Sequence, residues 1–368
     1  MNHPLYALVR TLSGILLAAL GGSAYAGSSI DSDEVGALLV YASIQASEAG
    51  GGEDDVETFL TITNASSDST TVHMSFINGD MSDEKYCYEC DFDVPLTGFD
   101  TETLVFTPRF PWTNIKNLDA LHAKGSNQAA RFGTRTCQWN EGMVIAWAED
   151  GIGDPSTANR LFGDEVVVNY SQGYAYSLPA HSIQSEAGDV SRRSFALGST
   201  FTALPRVVAT NFLAPTMSNM PGAEVVLFTL DFQRQHPPET DCSVVAFDAT
   251  ENSFSQSLAF GCWTRIRLCD LDPELCFPNL GLDGPADCDP HHHGWLSFNC
   301  EVDHDAGDND DTTHDGNVHG AIVQWAAARV DRGKNAVAWA RQMFQSVSVG
   351  DPGALTLEYQ SDDPLGSQ

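Results

Sequence analysis

Positive charge is what this sequence has least of. Lysine and arginine number 18 against 50 aspartates and glutamates, a formal charge of −32, and only four of the basic residues are lysine. Such a surface repels polyanions, so nucleic acid and anionic lipid are excluded as partners. Beyond its first residues the chain has no run near the roughly 20 consecutive apolar residues that a bilayer-spanning helix needs. Catalytic templates are missing too. There is no Gly-x-Ser-x-Gly elbow, no His-Glu-x-x-His pair, no phosphate-binding glycine loop and no dinucleotide fingerprint. Carboxylates are so numerous that no pair can be singled out as acid and base, since that assignment depends on separation in space.

What is there begins with a leader. Arg10 closes a short, weakly positive start, Thr11 to Leu20 is apolar, and Ala24-Tyr25-Ala26 offers a small-x-small cleavage site. Residues 1–26 therefore read as a secretory signal peptide, with export to the periplasm or the cell exterior expected. The remainder is longer than one core usually organises, so two domains are expected, at 27–190 and 191–368. Nine cysteines in an exported chain imply several disulfides and one thiol left over. Acidity itself has two readings, solvation in salty water or a demand for bound Ca²⁺.

Hydrophobic residues recur with a period of two rather than 3.6. Ala37 to Ile44, Val56 to Thr63, Thr71 to Ile77, Met143 to Ala148 and Glu165 to Tyr170 are short, β-branched or aromatic, and bounded by turn residues. The same texture covers Arg206 to Leu213, Glu224 to Phe232, Cys242 to Asp248, Ser257 to Arg267, Trp295 to Asn299, Ala321 to Arg329 and Ala336 to Phe344. The last two are expected to be strands joined by a turn at Asp331 to Asn335. Asn78-Gly79 predicts a tight hairpin. The fold class is all-β, two tandem antiparallel β-sandwich domains of Ig-like or jelly-roll-like type.

The second run parallels the first, which suggests an internal duplication. Leu39 to Ala42, Thr58 to Thr63 and Thr71 to Phe76 match Val207 to Thr210, Val225 to Leu230 and Ser243 to Phe247. Cys90, Val94, Leu96 and Asp100 are spaced like Cys262, Ile266, Leu268 and Asp272, and Gly142 and Gly294 each lead a later strand. A repeat this long suits tandem sandwiches better than a solenoid.

Thr61-Ile62-Thr63-Asn64, Val72 to Gly79 and Gly163-Asp164-Glu165-Val166-Val167-Val168 together resemble a set of uncharacterised secreted bacterial β-sandwich proteins. Phe247-Asp248, Cys262 to Leu268, Asp270-Leu271-Asp272 and Asn279-Leu280-Gly281 are similar to the same set. The resemblance implies fold and export and carries over no catalytic residue. This chain departs from it at 281–320, a Cys-, His- and Asp-rich insertion between strands.

That insertion holds the densest chemistry. Asp303, Asp305, Asp308, Asp310, Asp311 and Asp315 crowd together, and alternate acids on a curled backbone can converge on Ca²⁺, which takes six to eight oxygens. No EF-hand register is present. A solvated acidic loop is the plainer reading and a Ca²⁺ site the sharper one. His291, His292 and His293 offer imidazoles, but neighbours on an extended chain point opposite ways, so His291 and His293 are the pair that can share a transition metal. Cys87-x-x-Cys90 lacks the context of a zinc ribbon, redox or haem motif and reads as structural. Spacing pairs Cys269 with Cys276, Cys288 with Cys300 and Cys242 with Cys262, and gives Cys137 either Cys87 or Cys90. His73, between Val72 and Met74, is expected on the solvent face of its strand. Trp147, Trp263, Trp325 and Trp339 read as core, while Trp112, Trp139 and Trp295 are candidates for stacking on a sugar.

These features point to a noncatalytic extracellular or envelope module acting in adhesion, matrix or ligand binding on a protein or carbohydrate surface, with Ca²⁺ as a stabilising ion. Two alternatives stand beside it. One is a polysaccharide-active enzyme using carboxylates, and the other a periplasmic transition-metal binder using His291 and His293.

Overall fold

The computed structural model describes residues 34–48, 55–109, 112–117, 134–149, 155–171, 173–185, 207–213, 223–230, 239–248, 253–271, 293–303, 318–330, 333–342 and 344–345. Within them the chain is nearly all strand, with one helical turn, α1 (Leu268–Leu271). Alternation explains this directly. In β2 (Val56–Asn64) the residues Val56, Thr58, Leu60, Ile62 and Asn64 are buried, and those between them are half-exposed. A side-chain period of two puts each set on its own face.

Four antiparallel sheets result. Sheet A runs β11 (His181–Ile183), β1 (Leu38–Gln45), β8 (Glu141–Ala148), β3 (Thr70–Asn78), β4 (Glu89–Leu96). Sheet B runs β10 (Tyr174–Pro179), β9 (Leu161–Asn169), β2, β5 (Thr101–Arg109), β6 (Trp112–Asn117), β7 (Thr134–Cys137). Sheet C runs β15 (Ser253–Phe260), β14 (Glu239–Asp248), β17 (His293–Asp303), β12 (Val207–Leu213), β20 (Phe344–Gln345). Sheet D runs β16 (Trp263–Arg267), β13 (Ala223–Thr229), β18 (Val318–Val330), β19 (Gly333–Gln342). The stretch read as one strand from Ser257 to Arg267 is instead the end of β15, a bend and β16, in different sheets.

Two strand orders coincide. Along A, β11-β1-β8-β3-β4 follows the same sequence-order pattern as β20-β12-β17-β14-β15 along C, and β10-β9-β2-β5 in B matches β19-β18-β13-β16 in D. Leu39, Thr58 and Thr71 thus lie in the counterparts of the strands holding Val207, Val225 and Ser243. Cys90 and Cys262 do not correspond. Cys90 lies in β4 at the edge of A, whereas Cys262 precedes β16, whose place beside β13 is the one β5 holds beside β2.

A strand can serve two cores at once. In β1, Leu39 and Tyr41 pack with Leu60, Ile62, Leu104 and Phe106 of sheet B, while Leu38 and Val40 pack with Val226, Phe228 and Trp263 of the segment that builds sheet D. On the other side of β13, Val225 and Leu227 pack with Val208, Val244, Leu296 and Phe298 of sheet C. The sheets therefore stack in the order B, A, D, C, and β1 is buried on both faces. Each fully buried aliphatic side chain in these layers contributes about 1.5–3 kcal/mol of transfer free energy.

At one point β1 breaks register. Its ladder to β8 passes from Tyr41 opposite Val144 to Ile44 opposite Gly142, leaving Ala42 and Ser43 outside it. Stranded backbone groups inside a core need other partners. The indole N–H of Trp263 donates to the Ala42 carbonyl at 2.7 Å, and the Ser43 N–H donates to Glu165 Oε1 at 2.9 Å. The Trp263 ring lies so close to Gly79 that a Cβ there would come within 2.2 Å of Cε3. Asn78-Gly79 is accordingly not the tight hairpin its sequence suggests. β3 and β4 are joined by a longer turn that Asn78 closes by donating from Nδ2 to the Lys85 carbonyl at 2.9 Å, and the positive φ falls on Cys87, at 64°. Gly79 is needed for the room it leaves. The turn also grips the chain around Trp263, for the Tyr86 hydroxyl donates to the Trp263 carbonyl and accepts from the Gly261 N–H. Arg265, on the same face as Trp263, binds Glu141, Glu224 and Gln45.

Three disulfides form among the described residues: Cys87–Cys262, Cys90–Cys137 and Cys242–Cys300. Cys137 takes Cys90, one of its two expected partners. Cys242 does not join Cys262, because β14 and β17 are neighbours and place Cys242 directly opposite Cys300, with Cα atoms 4.0 Å apart. That pairing also removes Cys300 from Cys288. Cys262 instead reaches Cys87 across 175 residues of sequence, a closure that stabilises by about 5 kcal/mol through restriction of the unfolded chain. The pairing of Cys269 with Cys276, and Cys288, fall outside the described residues. These bridges fit a non-cytoplasmic protein. Among the described residues no helix is long and apolar enough to cross a membrane.

Two predictions follow from the junction. Replacing Trp263 by Ala should cost roughly 3 to 5 kcal/mol in urea unfolding, the usual penalty for emptying a large aromatic site; a loss under about 1 kcal/mol would show that the layers barely depend on it. Glu165 is fully buried, and burial pushes its carboxyl up to about 8, with the Ser43 N–H pulling the other way. Its ordinary value is 4.5, so the stability tied to the neutral carboxyl is complete below that pH and is lost as pH rises through about 8. Between pH 6 and 9 the melting temperature should therefore fall further in the wild type than in Glu165→Gln, whose neutral amide can still accept from Ser43. Parallel curves would refute a protonated Glu165.

Candidate functional site

Sheet C closes the stack. No further sheet covers its outer face among the described residues. Register identifies the residues that form that face. Val207, Ala209 and Asn211 of β12 stand opposite Asn299, Ser297 and Trp295 of β17. Those stand in turn opposite Ser243, Val245 and Phe247 of β14, which face Ser257, Ser255 and Ser253 of β15. All are half or fully exposed, while the alternate residues Val208, Val244, Leu296 and Phe298 are buried. These twelve carry no charge, but register continues the face to the exposed Asp241 and, opposite it, Glu301.

The corresponding face of sheet A is the one that sheet D covers, and register makes the comparison position by position. Val40, Ile145 and Trp147 in A stand where C has Ala209, Ser297 and Asn299. A face open to water cannot remain as apolar as a covered one. Yet Ile77 and Met143 correspond to Phe247 and Trp295, which are larger and aromatic. Trp295 is 43% exposed and stacks on Phe247, with ring centroids 4.8 Å apart and planes 19° from parallel. Serine, asparagine and stacked aromatic rings side by side can meet the apolar face of a sugar with a π-cloud and its ring hydroxyls with polar groups.

The other tryptophans divide differently from expectation. Trp139 is only 7% exposed and donates its indole N–H to the Phe76 carbonyl at 3.2 Å, so it belongs to the core between A and B and offers no platform. Trp147 and Trp263 are core, as read from their strands. The side chains of Trp112, Trp325 and Trp339 lie outside the described residues.

A second cluster was missed by sequence reasoning. His73 was expected to face solvent and is 5% exposed. Alternation does separate it from Val72 and Met74, but in a sheet buried on both faces alternation divides two interiors. The imidazole lies against Trp147, ring centroids 4.5 Å apart. Its Nδ1 is 2.9 Å from Asp93 Oδ1 and 3.8 Å from Glu149 Oε1, and its Nε2 is 3.7 Å from Asp91 Oδ1. The Ser75 hydroxyl donates to that same Asp91 oxygen. Burial pulls the His73 pKa down, but hydrogen bonds to Asp91 and Asp93, with their charges, outweigh it and hold it at about 9. The reciprocal hydrogen bond keeps Asp93 below its ordinary value. The signal in the sequence was the pair of alternations, His73 with Ser75 and Asp91 with Asp93, which fall opposite each other once β3 and β4 are paired.

Of the acids nominated for Ca²⁺, Asp303 is the last residue of β17. Asp305, Asp308, Asp310, Asp311 and Asp315 lie outside the described residues, as does His291, and His293 opens β17. Compared with family models, curated proteins and solved structures, the chain has no significant match in any of the three, so no activity carries over from a relative.

Proposed function

We propose that the protein is a secreted, noncatalytic binding module of the cell envelope or extracellular matrix, and that it holds a neutral polysaccharide chain on the outer face of sheet C. One observation carries this reading: Trp295 stands exposed and stacked on the half-exposed Phe247, among serine and asparagine residues of the same sheet face. An anionic polymer would be repelled by the molecule as a whole, whereas a neutral one would not. Serine and asparagine side chains can exchange hydrogen bonds with sugar hydroxyls. The disulfides support export, and the shared strand order supports duplication, with one copy of the face used for internal packing and the other freed for a ligand.

Affinity electrophoresis through gels containing neutral polysaccharides tests the proposal. Retardation of the wild type by at least one of them is expected, with Trp295→Ala weakening it at least tenfold while leaving the melting temperature within a degree or so, as suits an exposed side chain. Equal retardation of the two proteins would overturn it, and so would no retardation of either across cellulose-, mannan-, xylan- and starch-type polymers. Calcium enters this reading only as a stabilising ion bound by the acidic residues between 303 and 315. Melting in Ca²⁺ and in EDTA should then differ by several degrees, and coincident midpoints would remove the ion.

A further inference from the structure

We propose that His73, Asp93 and Glu149 form a Zn²⁺ site at the rim of sheet A, with Asp91 orienting the imidazole from its other nitrogen. The three candidate ligand atoms lie within 4.8 Å of one another. Zn²⁺ bound at about 2.0–2.2 Å in a tetrahedron separates its ligand atoms by about 3.4 Å. The 2.9 Å from Nδ1 to Asp93 and the 3.8 Å from Nδ1 to Glu149 bracket that value. What remains is a small movement of the Asp93 carboxylate, whose side chain is 57% exposed and has room to make it. The same opening leaves the fourth position to water.

Charge and the surroundings of the imidazole favour the same occupant. Asp93 and Glu149 together balance a divalent ion, and His73, giving up its Nδ1 proton as the ion binds, supplies the nitrogen donor that Zn²⁺ accepts and Ca²⁺ avoids. Zinc-bound histidines commonly give their remaining N–H to a carboxylate, which fixes tautomer and ring orientation. Asp91 stands on that side, 3.7 Å from Nε2, and is itself held by Ser75. The backbone is fixed as well. His73 stands opposite Asp93 on one side and Trp147 on the other, and the Glu149 N–H donates to the Thr71 carbonyl at 2.8 Å.

The fold does not require these residues. At the matching positions of sheet C, where the same strand order is built, His73 and Asp93 correspond to Ser243 and Ser257. A protonated histidine among carboxylates would serve as an internal ion pair, but its counterpart sheet forms without one.

Isothermal titration with ZnCl₂ decides the matter, using the full mature chain with His291→Gln, His292→Gln and His293→Gln so that the consecutive imidazoles do not contribute. One ion per chain is expected, with micromolar or tighter affinity. Asp93→Asn, whose amide oxygen can still meet the imidazole, should weaken binding at least tenfold. Asp91→Asn should weaken it by about 10- to 100-fold, the usual range for a carboxylate behind a ligating histidine. His73→Gln should abolish it, and if that variant does not fold, Asp93→Asn carries the test alone. Unchanged affinity in Asp93→Asn would overturn the site, as would displacement of the zinc by millimolar Ca²⁺.

Discussion

Everything in this molecule depends on a tryptophan from one half of the chain seated in a bulge of the other. Trp263 enters where β1 leaves Ala42 and Ser43 outside its ladder, and its indole takes the Ala42 carbonyl. A buried carbonyl without a partner costs about 1–3 kcal/mol, so bulge and tryptophan require each other. Glu165 meets the companion demand from Ser43 on the opposite side of the same strand. Around this point the Cys87–Cys262 bridge, the Tyr86 hydroxyl and Arg265 all cross between the halves. Summed roughly, one buried indole and one long-range disulfide amount to 8–10 kcal/mol, within the 5–15 kcal/mol that stabilises a whole domain. The junction is therefore part of the folding free energy itself.

That junction turns sheet A into an inner layer, and much of what was legible in the sequence, and what was not, follows from this. Period-two alternation gave the all-β class and the strands it marked, but it ran β15 and β16 together and left β5, β6, β7 and β10 unmarked; β18 and β19 are separate strands as expected, though the turn read over Asp331 to Asn335 takes in Gly333, Lys334 and Asn335, which already belong to β19. Alternation says that His73 and Val72 point opposite ways. It says nothing of what lies on either side, so a histidine between two cores reads the same as one at a surface. The disulfides show the same limit. Cys242, in β14, and Cys262, just before β16, are close in sequence, but β14 and β16 belong to different sheets, while Cys300 arrives beside Cys242 only because β17 inserts between β14 and β12. Spacing along a chain cannot reveal a strand that comes between. Gly79 was misread for a related reason. Its missing side chain serves a ring that is distant in sequence, and local turn chemistry has no access to that.

The stacking order carries one more constraint. Sheet A packs on D, and by strand order C is the counterpart of A and B the counterpart of D. By that correspondence the chain contains a head-to-tail contact, and its two outermost faces hold the positions that match the two faces joined inside. Head-to-tail contacts that do not close on themselves propagate into filaments when the exposed copies keep the chemistry of the buried ones. Ala209, Ser297 and Asn299 in place of Val40, Ile145 and Trp147 remove most of the apolar area that such a contact would bury. At about 25 cal/mol per Å² of apolar surface, losing the Ile and Trp side chains alone removes several kcal/mol from each repeated junction, enough to keep the copies apart. Solubility accounts for those three replacements. It does not account for Trp295 and Phe247, which enlarge the apolar area at the same face where their neighbours reduce it, and which stack on each other in the open. Packing within the chain gains little from an indole left 43% exposed. The contact with an outside ligand proposed above would account for it, the rings meeting an apolar face of that ligand.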